Sequence, residues 1–107
     1  MTTIAEIVLI VDQKTREKKI EWREGGAQSF LASIDDFTVR IQYDLESRVV
    51  DYEFGLLNSN GTAIESYRPL NSSEDSKFLA ELFQLARRQA LKVDEALDTI
   101  KVKLLGI

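Results

Sequence analysis

The chain has 107 residues, 44% of them hydrophobic and 30% charged, with a formal net charge of −4 at neutral pH. This balance excludes wholesale disorder and fits one domain over residues 1–107, long enough to bury roughly two-thirds of the surface its unfolded chain exposes. With no cysteine and no histidine, the disulfide framework, the zinc or iron–sulfur ligand set, the thiol nucleophile and the usual imidazole base are all excluded.

In chain order, Ile4, Ile7, Val8 and Val11 recur at helical spacing behind the capping pattern Thr3-x-x-Glu6. They predict a first helix over 4–16. Its apolar run is interrupted by Asp12 and is too short to span a bilayer, and no basic start and cleavage pattern accompanies it. A cytoplasmic protein without membrane contact is therefore expected.

Short alternating runs follow, each closed by turn residues. Ile20 and Trp22 form the first, ended by "GGA"; Phe30, Ala32 and Ile34 form the second, ended by Asp35-Asp36. Phe37, Val39, Ile41 and Tyr43 form the third, and "LESR" turns it. Tyr52, Phe54 and Leu56 form the fourth, "NSNG" turns it, and "TAIESY" is the fifth. A two-residue turn at Asp35-Asp36 sets Ile34 opposite Phe37, Ala32 opposite Val39 and Phe30 opposite Ile41. A turn around Leu45–Arg48 sets Ile41 opposite Tyr52, Val39 opposite Phe54 and Phe37 opposite Leu56. A three-residue loop at Gly25–Ala27 sets Trp22 opposite Phe30. All the large side chains then share one face, so Trp22, Phe30, Val39, Ile41 and Phe54 are expected in the core. Thr38, Arg40, Gln42, Asp51 and Glu53 take the other, exposed face, with Arg40 directly across from Glu53.

Pro69 and "LNSSED" open the last helix, capped by Ser72 or Ser73 with Glu74 and Asp75 in its first turn. Its stripe runs through Leu79, Leu82, Ala86, Ala90, Val93, Leu97, Ile100 and Leu104. "IKVKL" alternates like a strand, but Gly106 followed by Ile107 fits a helix end. One helix over 74–105 is expected. The predicted fold is α+β: a five-stranded antiparallel meander sheet with an N-terminal helix and a long C-terminal helix packed on one face.

Few residues suggest chemistry. Gly25-Gly26 lacks a phosphate-loop pattern, and Trp22 reads as a core anchor. Asp94 and Asp98, four apart on a helix, are too few for a cation site. Asp51 and Glu53 share a strand face, where Arg40 makes an ion pair the simpler reading. Arg87 and Arg88 sit about 100° apart on a helix, so they form no single clamp. Residues 28–76 carry three basic groups against nine acidic ones, which argues against a nucleic-acid surface. No catalytic residue, cofactor or metal is assigned.

The stretches "TREKKIEW", "YEFGLLNSNGTAIE" and "LAELFQLARRQALKVDEALDTI" resemble a group of small bacterial domains in which a helix, a T-x-x-x-K-I-x-W-like strand, a sheet and an L-x-x-A-R-R-like helix follow in this order. The resemblance implies a bacterial α+β domain with no assigned activity and carries over no functional residue.

A helix from Glu74 to Leu105 would be about 48 Å long, whereas eight-residue strands reach only about 27 Å. The uncovered end carries Leu91, Val93, Leu97, Ile100, Val102, Leu104 and Leu105, an apolar patch of the kind that marks an interface. The expected function is a protein-interaction or regulatory module, not an enzyme, self-associating as a homodimer through these seven residues. The alternative is a small-molecule-binding domain using the sheet face or the sheet–helix crevice.

Overall fold

Thr3 stands in an extended conformation and its Oγ1 accepts a hydrogen bond from the Glu6 amide at 3.2 Å, which starts the first helix, α1 (Ile4–Arg16). The computed structural model describes all 107 residues, Met1–Ile107. After α1 come five strands: β1 (Trp22–Glu24), β2 (Ser29–Ile34), β3 (Phe37–Tyr43), β4 (Tyr52–Leu57) and β5 (Ala63–Tyr67). They form one antiparallel sheet in the order β1-β2-β3-β4-β5. Two helices close the chain, α2 (Glu74–Ala90) and α3 (Val93–Leu105). The predicted α+β meander stands, with α1 and α2 on one face of the sheet and the C-terminal helix split in two.

The β2–β3 register is the predicted one, Ile34 opposite Phe37 and Phe30 opposite Ile41. Two other registers differ, each by two residues. Trp22 faces Ala32, and Phe30 faces Glu24. The connection runs on to Gln28, with Gly26 and Gln28 at positive φ and the Gly25 amide donating to Ser29 O at 2.9 Å. Between β3 and β4, Ile41 faces Phe54, Val39 faces Leu56 and Tyr43 faces Tyr52. Here side chains build a loop longer than the expected turn. Asp44 Oδ1 accepts from the amides of Glu46 and Ser47, and Ser47 Oγ accepts from those of Val49 and Val50. A shift of two residues preserves the facing of every side chain, so the core is unaffected.

The core joins Val8 and Val11 of α1, Trp22, Phe30, Ala32, Val39, Ile41 and Phe54 of the sheet, and Leu79, Leu82, Phe83 and Ala86 of α2. All the side chains expected there are buried. Trp22 is fixed twice: its indole Nε1 donates to Thr15 Oγ1 at 3.0 Å, and its amide donates to Gln89 Oε1 at 3.2 Å. The first bond ties the sheet edge to α1, the second to α2.

At the start of α2, Ser73 Oγ accepts from the Ser76 amide. The first turn presses Asp75 beside Tyr67 at the end of β5. Burial and that carboxylate push the Tyr67 phenol from 10.0 up to about 12. Stability from this group is complete below pH 10.0 and is lost as pH rises toward about 12, because the unfolded chain gives up its proton first. Absorbance titration near 295 nm should therefore show a last phenol step close to pH 12 that disappears in Tyr67→Phe; its persistence would contradict the placement.

The expected single helix over 74–105 breaks at Lys92, whose φ of 52° and ψ of 49° are left-handed. Neither glycine nor proline marks the break. The Arg88 guanidinium donates to Asp94 Oδ1 at 2.6 Å across the corner. A left-handed conformation costs an L-residue about 1–2 kcal/mol, whereas glycine adopts it freely but loses more freedom on folding. Lys92→Gly should therefore raise stability by about 0.5–1 kcal/mol in a denaturant titration, and Lys92→Val should lower it. Loss of stability in the glycine variant would mean that the corner is not left-handed.

Candidate functional site

Beyond the corner, no residue of α3 is buried. With 100° between successive residues, Val93, Leu97, Ile100 and Leu104 fall on one stripe about 60° wide. Val93 is half-buried, while Leu97, Ile100 and Leu104 are 54%, 49% and 60% exposed. Leu91, the residue that ends α2, borders a shallow groove with Ile100. Val102 lies on the opposite side of α3 and Leu105 on a flank, so five of the seven predicted interface residues converge and two do not.

The protruding helix shapes the molecule. Its extents are 56 × 33 × 23 Å and its radius of gyration is 15.3 Å, against about 13 Å for a compact chain of this length. A 13-residue helix is marginal alone in water, since helices of about 12–15 residues take most of their stability from packing. An apolar stripe without cover on such a helix lacks its stabilising contact.

A second apolar region lies between α1 and the sheet. There a crevice of about 570 Å³ is lined by ten residues, eight of them hydrophobic. Ile7, Ile10 and Val11 form one wall, and Ile34, Phe37 and Leu56 form the other. Lys14 and Lys19 stand at its rim, both within ion-pair distance of Glu17, at 3.6 and 3.3 Å. The registers derived from sequence put Ile34 and Phe37 on the core face, but they do not show that the helices leave this end of the sheet uncovered.

The sheet's other face differs from the exposed surface expected. Glu53 is 8% exposed although no helix covers it. Arg40 lies opposite Gly55, not Glu53, and reaches Glu53 Oε1 diagonally at 2.9 Å. Gln42 donates to the same oxygen at 3.0 Å, and Arg68 donates to Oε2 at 2.6 Å. Gly55 makes room: a Cβ there would sit 3.3 Å from Arg40 Nη2. Arg68 also pairs with Asp44 at 3.1 Å. The amides of Ser47 and Glu46, with Arg68 in addition, hold the Asp44 carboxyl below its usual range. The long side chains themselves bury Glu53. Arg68, outside the strand runs, gave no sequence signal for this role.

Arg88 is occupied by Asp94, while Arg87 takes no part in that pair. The corner makes the difference: on a straight helix Arg87 would lie nearer to Asp94. Between the end of α1 and the corner, Arg16, Lys18, Arg88 and Lys92 share a recess of about 390 Å³ with Asp94 and Glu95, so its charge is mixed. No group of three or more acidic side chains is arranged to hold a metal ion. No helix is long and apolar enough to cross a membrane. Comparison with protein-family models, with curated proteins and with solved structures finds no match.

Proposed function

We propose that the chain is a protein-interaction module whose docking element is α3, and that its first partner is a second copy of itself. One observation carries this reading: a helix with an apolar stripe stands clear of the core and buries no residue. An amphipathic helix gives its stripe to a partner when its own domain does not cover it. Leu97 and Ile100 are the central anchors, and Val93, Leu104 and Leu91 extend the patch. Light scattering should show self-association that Ile100→Glu abolishes. The variant should keep its fold, with a stability change within about 0.5 kcal/mol, because an exposed position away from the core is substituted. Association that survives this substitution, or a wild-type chain that never associates, would remove α3 from the role.

The crevice beside α1 favours a second reading, in which the chain binds a small apolar molecule. Its volume and lining suit such a ligand. A saturating single-chain fatty acid should then raise the melting temperature, since a ligand that binds only the folded state stabilises it. Absence of a shift with dodecanoate and longer chains would count against this use.

A further inference from the structure

The crevice between α1 and the sheet has a charged end and an apolar end. We infer, on the reading of it as a small-molecule site, that its ligand is a free single-chain carboxylate, a fatty-acid anion whose head meets Lys14 and Lys19 and whose tail runs across the sheet toward Leu56.

The path of α1 sets the two ends apart. Ala5 and Leu9 lie beside Tyr67 of β5, and Thr15 is bonded to Trp22 of β1, so the helix crosses the sheet from β5 to β1. Lys14 therefore comes at the β1 side, where Lys19 and Ile20 lead into that strand. Both ammonium groups reach Glu17, at 3.6 and 3.3 Å, which gathers them at one place. Ile7, two turns before Lys14, stands at the other side with Leu56 of β4. Three strand spacings separate β1 from β4, about 14 Å, and an extended dodecyl chain is of that length. The crevice of about 570 Å³ also falls within the range of small-molecule sites, about 300–1,000 Å³.

Charge selects the head. The two lysines are the only lining residues that are not hydrophobic. They share the single carboxylate of Glu17, and neither Asp35 nor Asp36, in the turn between Ile34 and Phe37, is within ion-pair distance of them. A second carboxylate completes the set, whereas a cationic head would add a third positive charge. The tail has a reason to prefer this place to the stripe on α3. A convex helix offers an alkyl chain one wall, and the crevice offers two.

The test is titration calorimetry on the whole chain, with amphiphiles kept below their micelle range. Dodecanoate should bind at least about tenfold tighter than dodecyltrimethylammonium, although the net charge of −4 favours the cation overall. Lys14→Gln and Lys19→Gln should each weaken dodecanoate about two- to fivefold, the effect of one partly exposed charge pair. Glu17→Gln removes the competing carboxylate and should tighten it by a similar factor. From octanoate to dodecanoate, each added methylene should tighten binding about fourfold. Amide shifts in labelled protein should concentrate at Ile34, Phe37 and Leu56. Shifts confined to Leu97 and Ile100 would assign the alkyl chain to α3 and overturn the site. If the cation binds as tightly as dodecanoate, or the three charge variants change nothing, the head-group assignment falls while the crevice remains an apolar site. If no amphiphile binds up to about 1 mM, both fall.

Discussion

Trp22→Ala is expected to destabilise the protein by about 3–5 kcal/mol, the range for truncating a large aromatic in a packed core. The side chain is 5% exposed and belongs to the main cluster. Its loss also removes the indole donor to Thr15 Oγ1. That hydroxyl still donates to Val11 O at 2.7 Å, so it is not left without a partner, and the cavity accounts for most of the cost. Urea unfolding of the variant measures it. A change under about 1 kcal/mol would show that neither helix rests on the indole.

Glu53→Gln is the second large effect expected, about 2–3 kcal/mol. The sequence placed Glu53 on an exposed face, where an ion pair contributes about 0–1 kcal/mol. In the structure its two oxygens accept three hydrogen bonds, from Arg40, Gln42 and Arg68. Bonds to charged groups contribute about 1.5–3 kcal/mol each, and breaking a fully buried pair costs about 3–5 kcal/mol. The arginine partners keep some water, with side chains 26% and 42% exposed, so the cost falls below that of a fully buried pair. The loss should be nearly the same in dilute and in molar salt, because a shielded pair is screened little. A loss that salt erases would place Glu53 on a wet surface.

How far the sequence reached depended on the kind of signal at each position. Helix α1 was legible to the residue because Thr3 caps it and its apolar spacing is regular. The Asp35-Asp36 turn was legible because two residues permit a single hairpin closure. The Asp44–Asp51 connection was not, because its length is set by Asp44 and Ser47 side chains capping backbone amides. Periodicity of two gave the correct faces despite the wrong partners. The corner at Lys92 escaped because lysine carries no conformational signature for it, and the apolar stripe runs through the break without interruption. For the site, the stripe on α3 was readable as a pattern and its lack of cover from helix length. The crevice was not readable, since it depends on how far α1 lies from Phe37. Glu53 illustrates the same limit: arginine reach, not strand alternation, encloses it.

The strictly sequential strand order bears on how the chain acquires its structure. Each strand joins the one made just before it, so the sheet grows from adjacent hairpins without a crossover. Closing short loops costs little entropy, which favours rapid folding. The first helix is the exception. Val8 and Val11 leave the ribosome before the sheet and α2, yet they are buried against a core that α2 completes many residues later. During synthesis α1 must wait with its apolar side unpaired, and that interval is when the nascent chain is most open to capture by chaperones or to aggregation.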